Sequence, residues 1–378
     1  MKNSACIIFP ASEAVLSGDV LLFKSLSCWI DGAVIDAGIT NIKRTPAEEK
    51  INSEDTFLVS ENCPLIAPQT ISQCYEQHIA SGNLATVLCS TESEEICAAW
   101  VKSHVLSERE LCAPSVQQAV SLLCKKGIQI SIFVADEGSE LFPIHDARDL
   151  YLANEAVRTA VINRAMERGA IIMCDSGIII SPDAVIGEGA VILPGTIIKG
   201  SSKIAGGAVI GPNSVIDNSE IGKNSVINAS QITDSTVGEG TKIGPFTQLR
   251  PNSHVGNGVK IGDFVEIKNS TVGDNTSVAH LTYIGDSDVG RKVNFGCGTV
   301  TVNYDGKNKH RTEIGDYAFI GCNSNLVAPV KVGTNAYTAA GSTVTSDVPD
   351  DSLYICREKD ERVIEGWVEK KLGKRRYE

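Results

Sequence analysis

Residues 177–217 read GIIISPDAVIGEGAVILPGTIIKGSSKIAGGAVIGPNSVID, with Ile180, Ile186, Ile192, Ile198, Ile204, Ile210 and Ile216 six residues apart. The row continues through Ile221, Ile227, Ile232, Val237, Ile243, Leu249, Val255, Ile261, Ile267, Val272, Val278 and Ile284, with some steps of five. A helix repeats near 3.6 and a half-buried strand at 2, so neither gives this period. A chain that turns a corner after each short strand does give it. Hexapeptide periods of this kind mark a parallel β-helix, whose coils bury their apolar faces by stacking. The inward position takes a β-branched aliphatic, and the corners take Gly, Asn, Asp or Pro, as at Gly211-Pro212 and Gly256-Asn257-Gly258.

Outward from that row, rungs are expected from about Gly177 to Val348. At a strand spacing of ~4.8 Å they make roughly nine or ten coils and a prism about 45 Å long. The row breaks once, after Thr301, and resumes at Ile314. The polar stretch between them, Val302 to Glu313, carries Lys307, Lys309, His310 and Arg311 and is expected to leave the solenoid as a functional loop. Upstream, Ala5–Phe9 and Ile128–Val134 read as strands, while Pro68–Ser81 and Ser115–Lys126 read as helices, giving a small α/β domain. Leu150, Ala153, Val157, Val161 and Ala165 recur at steps of three and four before Gly169, which predicts a connector helix. The expected division is 1–145 α/β domain, 146–170 connector, 171–350 β-helix and 351–378 basic C-terminal tail.

The 378 residues carry a net charge of −12, which argues against nucleic-acid or membrane-surface partners. Aromatic residues make up 5%, as suits a core of small aliphatic rungs. Twelve scattered cysteines, without C-x-x-C or a signal peptide, read as reduced thiols in a cytoplasm. Six histidines form no H-x-H or H-E-x-x-H cluster, so no metal site is expected.

Chemistry is expected where polar detail exceeds what rungs need: Gly244–Pro251, Glu266–Lys268 and Ala279–Asp286. Arg250 and Lys268 lie eighteen residues apart, one full coil, and should stand about 5 Å apart along one edge. Stacked cations repel unless an anion joins them, and a phosphate monoester suits an Arg/Lys pair. His280 falls in the next coil with Tyr283 behind it, and a neutral imidazole can take a proton from an attacking amine. A single histidine is usually structural, but a phosphate clamp and a cationic loop nearby reverse that reading. Glu266 is a candidate to orient the ring.

The strings GPFTQLRP, GDFVEIKNSTVG, AHLTYIGDSDVG, VNFGCGTVTVNYDGKNKHRT, IGDYAFIGCNSNLVAPV, AAGSTVTSDVP and EGW lie between Ile243 and Lys371. There the chain closely resembles the acetyltransferase half of the bacterial bifunctional N-acetylglucosamine-1-phosphate uridyltransferase/glucosamine-1-phosphate N-acetyltransferase family. The looser pattern extends the likeness to about two thirds of the chain. The resemblance implies a homotrimeric left-handed β-helix and acetyl transfer from acetyl-CoA, without a metal, to glucosamine 1-phosphate for UDP-GlcNAc and cell-wall synthesis. It implies His280 as general base, Arg250 and Lys268 as sugar-phosphate ligands, and Tyr283, Asn294 and Lys309 as further sugar contacts. It implies Asn303, Tyr304, Ala340 and Arg357 as acetyl-CoA contacts, with Cys297 and Cys322 standing where alanine and serine are usual.

The N-terminal part departs from that family. Its glycine-rich phosphate loop (G-x-G-T-R-M) is replaced by Ile8–Asp19, which has no glycine before Gly18. FLVSENCPLI, residues 57–66, resembles the strand and loop that ordinarily read GDxPLI, with Asn62 at the metal-binding aspartate. The uracil-reading segment is missing. The expectation is a shortened, Rossmann-like nucleotidyltransferase relic that makes no UDP-sugar. Competing readings are a bifunctional enzyme, a non-catalytic scaffold of the same fold, and a zinc lyase using His254, His280 and His310.

Overall fold

The computed structural model describes residues 1, 3–10, 21–45, 51–90, 95–135 and 141–356. It divides into two compact units: 1–164 with 180–182, and 165–179 with 183–378. The tail from Arg357 and the segment 11–20, where the phosphate loop would fall, lie outside the described residues.

The first unit is built on one six-stranded sheet. Its elements are β1 (Ser4–Phe9), α1 (Leu26–Asp36), β2 (Asn41–Arg44), β3 (Asp55–Ser60), α2 (Pro68–Ser81), β4 (Ala85–Cys89), β5 (Ala98–Lys102), α3 (Glu108–Leu111), α4 (Val116–Lys125), β6 (Ile130–Val134) and all but the last three residues of α5 (Ala147–Glu167). The strand order is β2-β1-β3-β5-β4-β6, with β5 antiparallel to both neighbours. Alternate residues of β1 enter two cores, Cys6 and Ile8 one, Ile7 and Phe9 the other. Sheets covered on both faces need such continuous apolar runs. In the first core Trp100 is fully buried against Phe57 and Tyr75, with ring centroids 4.9 and 4.6 Å away. Its indole N–H donates to the Ile71 carbonyl at 3.1 Å. α2 starts on Pro68 and stops at Gly82, whose φ of 63° closes the helix in a left-handed turn.

The second unit is a left-handed parallel β-helix of three faces, with eleven, ten and nine parallel strands. Face 1 contains Lys260–Asp263 and Ser277–His280. Face 2 contains Gln248–Leu249, Glu266–Lys268 and Tyr283–Gly285, and face 3 contains His254–Val255 and Thr271–Val272. The rows run further than the period showed, from Ile171–Ile172 to Leu353–Tyr354. Every aliphatic of the sixfold row from Ile180 to Ile284 is buried. Two places before each, Ile186 excepted, stands a second buried residue, often a hydroxyl: Ser202, Ser214, Ser230, Thr241, Thr247. These hydroxyls bond the corner backbone, as where Thr241 donates to the Gly256 carbonyl at 2.8 Å and accepts from the Val259 N–H at 3.1 Å. Burial of corner peptides is tolerable because such partners satisfy them.

Most corners use Gly or Asn for the left-handed conformation. The corner between faces 1 and 2 instead has Phe246, Phe264 and Leu281, with φ of 57°, 56° and 43°. Bulky residues are strained there. Their side chains are more than half exposed, and the rings of Phe246 and Phe264 stack at 5.6 Å.

Candidate active site

Coil stacking brings most of the expected residues to the two edges of face 2. Leu249 pairs with Ile267, and Ile267 with Ile284, so Arg250, Lys268 and Gly285 follow one another in a column. Gly285 leaves room that the Tyr283 ring occupies, since a Cβ there would meet the phenol. Lys309 stands beside Lys268; it, then Arg250, pushes the Lys268 ammonium below its ordinary value, and Asp286 opposes them. The arrangement differs from bare stacked cations. Arg250 is held by Glu266 at 2.7 Å, a bond that raises the guanidinium further. Burial pushes Asp286 up, but hydrogen bonds from Asn269 and Asn303 and the charges of Lys309 and Lys268 outweigh it and hold the carboxyl below its ordinary value. Three cations against two carboxylates leave this edge with room for an anion.

The row interruption is a compact excursion at the same edge, between strands Val300–Val302 and Thr312–Ile314. The His310 N–H donates to the Asn303 carbonyl at 2.9 Å and closes its neck. Inside, the Asp305 carboxylate accepts from the Lys307 and Asn308 N–H groups and meets the His310 ring at 2.8 Å. The Asn308 N–H, then His310 and the Lys307 N–H, bring the Asp305 carboxyl down to about 2. Asn303 turns its amide to Asp286, while Tyr304 stays exposed and donates to the Gly306 carbonyl at 2.7 Å. Where the ladder thins beside the excursion, the buried Thr301 hydroxyl accepts from the Gly285 N–H at 2.8 Å.

His280 stands at the other edge of face 2, on the corner from face 1. Its Nδ1 lies 2.7 Å from Asp263 Oδ1, and its Nε2 has no partner among the described residues. Glu266 does not orient this ring; it serves Arg250 one coil position away. The outward direction of Glu266 on face 2 sends it toward Arg250, whereas Asp263 is the register partner of His280 on face 1. Asp263 was legible only as a residue seventeen places, one short coil, before His280. Carried two residues beyond the paired positions, the face 1 ladder stacks Cys297, Cys322 and Ala340 in order above His280. Corner bonds hold that stack: Gly298 N–H to Leu281 O at 3.1 Å, Asn323 N–H to Cys297 O at 2.7 Å, Gly341 N–H to Cys322 O at 2.8 Å. Asn294 is on face 1 between Ser277 and Phe319. Arg357 lies outside the described residues.

The model for bacterial transferase hexapeptide repeats (six repeats) matches residues 234–269 and 311–346. The bifunctional protein GlmU of Clostridium perfringens is 39% identical over 351 residues, which span 82% of this chain and 77% of that protein. That of Caldanaerobacter subterraneus is 38% identical over 374 residues, 87% of this chain and 81% of its own length. The chain belongs to the GlmU family. Over a shorter span of 250 residues, 66% of this chain and 54% of the relative, the GlmU of Caldicellulosiruptor saccharolyticus is 47% identical. Within the GlmU family the chain is an acyltransferase. The nucleotidyl side does not fit a metal ion well. Asn62 is buried after β3 with its side-chain oxygen unpaired among the described residues, and a neutral amide is a poor ligand for a hard cation. Among the described residues no three metal-ligating side chains gather, and none of their helices is long and apolar enough to cross a membrane.

Proposed function

We propose that the chain transfers the acetyl group of acetyl-CoA to the amine of glucosamine 1-phosphate, giving N-acetylglucosamine 1-phosphate. The observation that carries this reading is the two-edged face 2: Arg250, Lys268, Lys309 and Tyr283 on one side, an imidazole whose Nε2 has no partner among the described residues on the other. The cations hold the sugar phosphate, with Asn294 as a further sugar contact. His280 Nε2 takes the proton as the amine nitrogen attacks the thioester carbonyl. The C–N bond forms, the C–S bond breaks, and the departing thiolate is protonated. Cys297, Cys322 and Ala340, stacked above His280, line the track of the acyl donor with Asn303, Tyr304 and Arg357. No metal takes part in these steps.

The working form is a homotrimer in the cytoplasm. Exposed Phe246, Phe264 and Leu281 line the corner beside His280, and a second copy seated there would cover them and complete the cleft. The α/β part, residues 1–145, makes no UDP-sugar, on the strength of Asn62 and the missing glycine loop. Residues 146–170 connect it to the acetyltransferase, 171–350, and 351–378 form the tail.

The test is coenzyme A release by the purified protein with glucosamine 1-phosphate, beside pyrophosphate release with UTP and magnesium. Activity in the first and none in the second is expected, and His280→Ala should lower the first about 10²- to 10⁴-fold. Absence of coenzyme A release, with no thermal stabilisation by acetyl-CoA, would leave a scaffold instead.

A further inference from the structure

We propose that Asp263 is the positioning residue for the base, holding His280 through Nδ1 so that Nε2 is the nitrogen left to receive the proton from the acceptor amine. The inference rests on the acetyltransferase reading and adds a residue to it. The 2.7 Å Nδ1–Oδ1 contact joins the last residues of Lys260–Asp263 and Ser277–His280, which are register partners in one parallel ladder. The coil geometry, rather than one side-chain rotamer, therefore brings the groups together. The corner is fixed on both sides. The Leu281 N–H donates to the Asp263 carbonyl at 3.0 Å, and the next residues, Phe264 and Leu281, are locked in the left-handed region.

Asp263 is the available carboxylate. Glu266, the other acid of its coil segment, is engaged with Arg250 at 2.7 Å and lies on face 2. The imidazole N–H, first, and a backbone bond hold the Asp263 carboxyl below its ordinary value. It is thus an ionised acceptor whenever the enzyme is near neutrality. An anionic acceptor on Nδ1 selects the tautomer that bears its proton there and stabilises the imidazolium that forms as the amine is deprotonated. Both side chains are substantially exposed, so the pair adds direction to the ring rather than stability to the fold.

Asp263→Ala and Asp263→Asn separate orientation from charge, because the amide keeps an oxygen that can accept from Nδ1–H. With acetyl-CoA and glucosamine 1-phosphate, Asp263→Ala should lower kcat about 10- to 100-fold with both KM values unchanged, and Asp263→Asn should fall between. Nitrogen-15 NMR of histidine-labelled protein, assigned with His280→Ala, should show Nδ1 protonated and Nε2 bare in the parent, and that preference lost in Asp263→Ala. The spectrum of the parent needs no variant to fold. A parent ring protonated on Nε2, or an Asp263→Ala enzyme with parental kcat beside an inactive His280→Ala, overturns the role of Asp263 and leaves the reaction standing. Full activity of His280→Ala would instead remove the base itself.

Discussion

Trp100 in the α/β unit and Ile267 in the β-helix are both fully buried, but they are held differently. Trp100 meets Phe57 from β3 and Tyr75 from α2, and reaches the Ile71 carbonyl as well. Ile267 has as ladder partners Leu249 and Ile284, its own counterparts one coil away. The first core gathers distant segments and has one solution; the second repeats a short solution along an axis. Repetition lets the outward positions of each coil vary freely, and the candidate site residues have collected there. Arg250, Lys268 and His280 each follow an inward residue, or one next to it, without belonging to the core.

Truncating each anchor tests that contrast most strongly. Trp100→Ala should cost about 3–5 kcal/mol and Ile267→Ala about 2–5 kcal/mol. Calorimetry should show Trp100→Ala lowering a transition that leaves coenzyme A release intact, while Ile267→Ala lowers a different one together with activity. One shared transition for both would break the comparison. A smaller effect comes from the outward side chains. Arg250→Ala removes the contact with Glu266 and leaves that carboxylate without its cation. KM for the amino-sugar phosphate should rise about 10- to 100-fold with kcat near parental, and a fall confined to kcat would contradict the clamp.

The smallest expected effect is on the excursion that the repeat carries. The folded Asp305 carboxyl sits at about 2, below its ordinary 3.8. A depressed acid stabilises above the unfolded value and loses that contribution as pH falls through the folded one. Proteolysis of residues 303–311 should therefore be flat from neutral to weakly acidic pH and increase only between 3.8 and about 2. Asp305→Asn should remove that step.

The sixfold row was readable because an inward aliphatic at each rung is the same physical demand repeated, from Ile180 to Ile284. The stacking of Arg250 on Lys268 followed from coil length alone. The contact of Asp263 with His280 did not, since coils of seventeen and eighteen residues coexist and a slip of one changes the partner. Glu266 was misjudged for the same reason: sequence distance does not say on which side of a corner a carboxylate emerges. The buried hydroxyls of Ser202 and Thr241 were also silent, because their partners are backbone groups that any residue supplies. In the α/β unit, strands and helices could be read from local pattern, but the antiparallel insertion of β5 depends on pairings across the whole sheet.

The closed neck of the excursion has a practical meaning. Strand Thr312–Ile314 keeps its ladders to the coils on both sides, Val300–Val302 keeps one in full and Val300 alone on the Tyr283 side, and Thr301 caps the amide that the detour would strand. Residues 303–311 thus behave as a cassette clipped to an otherwise continuous spring. A designer could graft a segment of different length or charge between the same two clips and reset the charge of that edge, without rewinding a single turn.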